Sequence, residues 1–116
     1  MVRKSKDVGY HTINATEADE ILFNSDGIPI VMAFSAEWTG NGQMLDNYYR
    51  ELANEYNDTI RFYRIDVDDF PSYADKYGVN QIPTTLVFRQ NEIVDHFKGL
   101  LPRNKIEEKL DRVIKD

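Results

Sequence analysis

Apolar and polar residues alternate along this chain with two distinct periods. Ile28-Pro29-Ile30-Val31-Met32-Ala33-Phe34 is an almost unbroken apolar run. At that length it predicts a strand buried on both faces. Beyond it, Leu45, Tyr48, Leu52 and Tyr56 recur at steps of three and four, with Asp46, Asn47, Arg50, Glu51 and Asn54 between them. That spacing predicts a long helix with one apolar face. The β-branched and aromatic stretch from Ile60 to Val67 reads as a strand. Pro71 suits the first turn of a short helix through Tyr73, Ala74 and Tyr77, and Gly78 suits its C′ position. Thr85–Arg89 and Glu92–Lys98 read as two strands joined at Gln90-Asn91, a hairpin. Pro102 opens a last helix on which Ile106, Leu110, Val113 and Ile114 share one face.

The start of the chain is weaker in signal. His11–Asn14 reads as a short strand. Thr16 then offers an N-cap hydroxyl with Asp19 three residues on, a capping-box arrangement. Ile21, Leu22 and Phe23 follow, and Gly27 is expected to end that helix as a left-handed cap. The order is therefore β-α-β-α-β, a linking helix, then β-β-α. Right-handed crossovers make the strands of the first part parallel, and the hairpin is antiparallel. The expected architecture is α/β: a central mixed five-stranded sheet flanked by four helices. Residues 1–10 are expected to form an N-terminal extension and residues 11–116 one domain.

A chain of 116 residues with 41% hydrophobic and 29% charged residues fits one globular domain. Such a chain buries roughly 60–70% of its unfolded surface. The net charge of −6 disfavours nucleic acid and anionic membrane surfaces as partners. The basic start, Arg3-Lys4-Ser5-Lys6, is too short to change that and reads as a solvated terminus. No stretch approaches the roughly 20 apolar residues of a membrane span. No apolar signal region follows the basic start, so a cytoplasmic protein is expected, a processed secreted form being the alternative. The triplets at Asn14 and Asn57 match the glycosylation pattern and read as chance without a secretion signal.

Two segments carry the chemistry: Ala36-Glu37-Trp38-Thr39-Gly40-Asn41-Gly42-Gln43-Met44 and Gln81-Ile82-Pro83-Thr84-Thr85. The first resembles the Trp-Cys-Gly-Pro-Cys segment of the thioredoxin family, and the second its Ile-Pro-Thr loop. Ile30–Trp38, Arg64-Ile65-Asp66-Val67-Asp68, Tyr77–Thr84 and Phe97-Lys98-Gly99 extend the resemblance in order and spacing over the chain from His11 onward. The resemblance implies a thioredoxin fold and a cis Ile82–Pro83 bond. It also implies that the backbone before the proline pairs with an extended polypeptide, as an added strand would. Trp38, Thr39, Gly40, Ile82, Pro83 and Gly99 would line that groove, with Asn41 and Gly42 on its rim. The plainer reading of Pro83 is a loop proline before a strand.

The departures are as informative. The two cysteine positions hold Thr39 and Gly42, Asn41 replaces the intervening proline, and the chain has no cysteine. The family's buried aspartate corresponds to Ala33 and its partner lysine to Arg64. A threonine hydroxyl cannot take part in thiol–disulfide exchange; an N-cap or a local backbone hydrogen bond is the role expected of Thr39. Nucleophilic use of Thr39 needs an adjacent base, and the resemblance places neither His11 nor His96 beside it. Asp66, Asp68 and Asp69 lack the glycine and glutamate of a calcium loop and read as a solvated strand end. Gly40-Asn41-Gly42 lacks the lysine of a phosphate loop. The tyrosines divide between sheet packing and a sticky surface in a way the sequence leaves open. No cofactor or metal is expected. The expected function is binding of an extended polypeptide or partner protein, chaperone-like or in assembly. The alternatives are a disulfide oxidoreductase and a structural subunit that uses another face.

Overall fold

The computed structural model describes residues 9–115; of the expected extension at residues 1–10, residues 1–8 lie outside the described residues, while Tyr10 already belongs to the first strand. Five strands and four helices follow one another: β1 (Tyr10–Thr12), α1 (Ala15–Phe23), β2 (Ile30–Ser35), α2 (Gly40–Tyr56), β3 (Arg61–Asp66), α3 (Pro71–Lys76), β4 (Thr84–Arg89), β5 (Glu92–Lys98) and α4 (Arg103–Lys115). One 3₁₀ turn, Asn57–Thr59, joins α2 to β3. The sheet order is β1-β3-β2-β4-β5. β1 and β2 both run parallel to β3, while β4 lies antiparallel to β2 and to β5.

The apolar run of the sequence becomes β2, the central strand, with all six residues buried. Its side chains alternate between the two faces of the sheet, as the period of a strand requires. Val31 and Ala33 pack with Leu45, Tyr49 and Leu52 of α2 and with Ile106 and Leu110 of α4. Ile30, Met32 and Phe34 pack with Leu22 of α1 and Tyr73 of α3. Arg103, at the start of α4, binds Glu51 and Glu55 of α2 and thereby ties the two helices of one layer together.

Several local expectations are corrected. The first helix is capped by Asn14, whose side chain accepts from Glu17 N–H at 2.7 Å while Glu17 accepts from Asn14 N–H at 2.8 Å. Thr16 and Asp19 lie inside that helix, because the chain leaves β1 with Ile13 N–H bound to Arg64 C=O and turns helical at once. Asn24 ends α1; Gly27 belongs instead to the next turn, where Asp26 and Gly27 both have positive φ and Ile28 N–H reaches Ser25 C=O. On α2 the buried face carries Leu45, Tyr49 and Leu52, with Tyr48 and Tyr56 at its margins. Adjacent tyrosines fit the same period equally well. Gln90 and Asn91 both adopt positive φ, which matches the twist of a two-residue hairpin.

Candidate functional site

β2 ends at Ser35, and three residues later Trp38 stands 71% exposed. Its Nε1 donates to Asp68 Oδ2 at 3.1 Å. Asp68 is held in turn by the end of β3, where Asp66 Oδ1 accepts from the amides of Asp68 and Asp69. The Asp66 carboxylate thus serves the backbone and that of Asp68 serves Trp38, and among the described residues no cluster could hold a metal ion.

Opposite Trp38, the loop from α3 to β4 is fixed at several points. Gly78, with φ of +71°, turns the chain after α3, and Val79 N–H binds Ala74 C=O at 2.9 Å. Thr84 Oγ1 donates to Gln81 C=O at 2.7 Å. The Ile82–Pro83 bond is cis, and Pro83 C=O accepts from Gly99 N–H at 2.7 Å. Between these anchors Ile82 is half-buried, and neither its N–H nor its C=O has a partner among the described residues. Trp38 and Ile82, with Val67, Ala74, Val79 and Gln81, line an open depression of about 360 Å³.

The structure therefore brings Trp38 and Ile82 together and ties Pro83 to Gly99. Pro83, which is buried, and Gly99 do not line the depression, nor do Thr39, Gly40, Asn41 and Gly42. Gly40 and Asn41 are exposed in the first turn of α2. Thr39 occupies the N-cap position, but its side chain makes no capping hydrogen bond, contrary to the sequence expectation. Its methyl group instead points toward Gly42: a Cβ placed on Gly42 would lie 2.7 Å from Thr39 Cγ2 and would collide with Ser35 Oγ. Ser35 is 1% exposed and its hydroxyl finds no hydrogen-bond partner among the described residues. The space that a side chain at position 42 would take is thus occupied by Ser35 and Thr39.

The resemblance set a buried aspartate against position 33, and the surroundings of that position are apolar and phenolic. Ala33 sits in β2 between Arg64 of β3 and Thr85 of β4. Next to it, Tyr49 OH and Thr85 Oγ1 share a buried hydrogen bond of 2.7 Å. Arg64 faces Asp46 of α2 at 3.5 Å and Asp66 at 3.8 Å, ion pairs in which its buried Nε lacks hydrogen-bond geometry. Tyr10 OH donates to the same Asp46 at 2.6 Å. Burial, and then the Asp46 carboxylate, push the Tyr10 phenol well above its ordinary range. Burial pushes Tyr49 up too, against a smaller opposing effect of its bond to Thr85. The carboxylate that answers Arg64 now comes mainly from the helix, and the layer beneath the loop is held by phenols.

This fold and site define an α/β protein with the thioredoxin architecture and no thiol. The thioredoxin family model matches residues 9–112, and the chain belongs to the thioredoxin family. It is 34% identical over 93% of its length to "Thioredoxin M3, chloroplastic" of Oryza sativa subsp. japonica. It is 32% identical over 85% of its length to "Thioredoxin 1" of Synechococcus elongatus, covering 91% of that protein. "Thioredoxin 2" of Chlorobaculum tepidum is 38% identical over 80% of the chain and covered to 84%. The chain spans only about three fifths of the plant relatives, 61% of the rice protein and 59% of a pea one. A mutant thioredoxin from Halobacterium salinarum NRC-1 superposes with a TM-score of 0.82 at 27% identity, over 91% of each chain. No helix among the described residues is long and apolar enough to cross a membrane.

Sequence reasoning missed Asp68 as the tether of Trp38, and it missed Ser35, Asp46 and the Tyr49–Thr85 pair. The only signal available was the glycine at position 42 itself. A buried glycine inside a helix implies a close neighbour, but the neighbour is set by the packing of β2 against α2.

Proposed function

We propose that this chain binds an extended polypeptide segment along Ile82, beside Trp38, and carries out no thiol–disulfide exchange of its own. The observation that carries the reading is the N–H and C=O of Ile82, unpartnered among the described residues, next to an exposed tryptophan. An exposed backbone donor and acceptor on one residue can pair with a passing strand, and that pairing needs no side-chain chemistry. The indole supplies a rigid apolar surface at low entropic cost, the usual composition of a binding hot spot. Pro83 and Gly99 keep the loop in register, and the Thr39–Gly42 turn forms the rim. The absence of cysteine supports the second half of the proposal, because exchange requires an attacking thiolate.

The test is a displayed library of extended peptides, with affinities of the selected sequences measured for three proteins. Trp38→Ala should weaken binding about thirtyfold, the scale of a hot-spot truncation. Ile82→Asp should weaken it at least as much, while both variants keep the wild-type melting temperature within a few degrees. Unchanged affinity in both variants eliminates the groove and leaves a structural subunit using another face. Turnover above background in an insulin-disulfide reduction assay eliminates the redox-inactive reading.

A further inference from the structure

At the other end of the sheet from Trp38, a second cavity of about 320 Å³ is lined by Arg89, Val94, Asp95, Lys109, Arg112 and Val113. Arg89 ends β4, the strand that begins just after Pro83, so the two sites are separated by the length of the sheet. Lys109, Arg112 and Val113 stand three and four residues apart on α4 and so share one face. Arg89 Nη1 donates to Val113 C=O at 2.7 Å, which fixes its guanidinium against the helix end. Its Nε and second amino group have no acceptor among the described residues, and Arg112 has none either. Lys109 is paired with Asp95 at 3.7 Å. The lining carries three cations and one acid, with Glu92 opposite Arg89 across the hairpin, so the wall is cationic on a chain whose net charge is −6. Val94, 49% exposed, and Val113 add an apolar wall.

We propose that this cavity is a binding site for a small organic phosphate monoester. The phosphoryl group sits between Arg89 and Arg112, and its apolar body lies on Val94 and Val113. Guanidinium groups bind phosphate oxygens through directed, charge-assisted hydrogen bonds. Two guanidiniums without a carboxylate partner among the described residues offer more donors than one carboxylate can accept, which suits the three oxygens of a phosphoryl group. The negative end of α4 opposes an anion here, and the Arg89 bond to Val113 C=O covers one of its carbonyls. The cavity is at the small end of ligand sites, which suits a single-ring compound.

The experiment is a titration of isotope-labelled protein with phenyl phosphate at low ionic strength, with inorganic phosphate and benzoate in parallel. Phenyl phosphate should shift the amides of Val94, Asp95 and the last turn of α4, and bind more tightly than either control. Arg112→Gln should weaken phenyl phosphate about tenfold, the scale of a lost charge-assisted bond. Arg112 is exposed, so this variant keeps the wild-type melting temperature. Equal affinity in Arg112→Gln, or shifts scattered over unrelated basic side chains, overturns the site. Benzoate as tight as phenyl phosphate overturns the assignment to a phosphate, and inorganic phosphate as tight overturns the apolar wall.

Discussion

The two sides of the Trp38 loop have fared differently in this protein. On the side of Ile82, Pro83 and Gly99, the geometry is carried by backbone: a cis bond, a carbonyl bound to Gly99, and an amide and carbonyl at Ile82 with no partner among the described residues. On the side of Ser35, Thr39, Gly42 and Ala33, the geometry is carried by side chains. Ser35 Oγ occupies the space that a side chain at position 42 would need, and Tyr49 and Thr85 occupy the layer beneath the loop. A feature made of backbone depends on few side-chain identities, whereas one made of interlocked side chains depends on each of them.

The largest expected effect separates these halves by pH. Tyr10 and Tyr49 both keep their protons in the folded protein well beyond the range of a free phenol, which ordinarily ionises near pH 10. A raised folded value means that the folded chain holds protons the unfolded chain has released. The stabilisation is complete below about pH 10 and is lost as the pH climbs above it, by about 1.4 kcal/mol per pH unit for each such phenol. Urea midpoints should be flat from pH 7 to 9 and fall steeply above 10. Tyr49→Phe should make that alkaline limb shallower, and a limb of unchanged slope would falsify the assignment of Tyr49 to it.

Restoring a thiol side chain gives the next effect. Gly42→Cys drives a Cβ into Ser35 Oγ and Thr39 Cγ2, and overpacking of this kind costs about 1–3 kcal/mol. For a domain of this size the melting temperature should fall by about 4–8 °C per kcal/mol. Ser35→Gly in the same background should recover part of the loss, giving a coupling well outside additivity. Melting curves of the two single variants and the double variant decide it. An additive cycle would show that the two residues do not interlock, and the contrast between the halves would lose its physical basis.

The Tyr49–Thr85 pair is worth somewhat less. Tyr49→Phe leaves the Thr85 hydroxyl buried without its partner, a loss of about 1–2 kcal/mol at neutral pH. Tyr49→Phe with Thr85→Val removes both polar groups and should return to within about 1 kcal/mol of wild type, since an apolar pair of similar shape has nothing unsatisfied. Chemical denaturation at pH 7 measures both. Recovery in the double variant identifies the hydrogen bond as the cause, whereas two additive losses point to packing alone.

The elements that could be read from sequence are those whose signals are local. The unbroken run around Val31 has one reading as a central strand, Gln90-Asn91 has one reading as a tight turn, and Gly78 falls at the left-handed position after α3. Where two neighbouring residues satisfy the same local rule, the tertiary structure decided between them. Asn14 rather than Thr16 caps α1, because hydrogen bonding at the end of β1 sets where the helix starts. Tyr49 rather than Tyr48 faces the core, because Thr85 waits for its hydroxyl. The loss of thiols was plain from Thr39 and Gly42, while the interlock of Gly42 with Ser35 joins a strand to a helix that no local pattern connects. Trp38, Ile82, Pro83 and Gly99 were legible through their family resemblance, and Asp68 was not, since its bond to Trp38 spans 30 residues.

That bond gives the smallest and most specific prediction. The Trp38–Asp68 contact is exposed, and surface contacts of this kind contribute at most about 0.5 kcal/mol to stability. Its effect should lie in the free state of the groove. With Asp68→Ala the indole loses its tether and samples more rotamers, and a bound peptide must then order it, which costs about 0.5–1.5 kcal/mol per immobilised side chain. Peptide affinity should fall between about twofold and tenfold, much less than for Trp38→Ala, while the melting temperature stays fixed. Trp38 is the sole tryptophan of the chain, so its fluorescence anisotropy reads the tether directly and should drop in Asp68→Ala. Lower anisotropy with unchanged peptide affinity would mean that the indole is ordered by the ligand alone, and Trp38 would then act as a contact without being prepared as one.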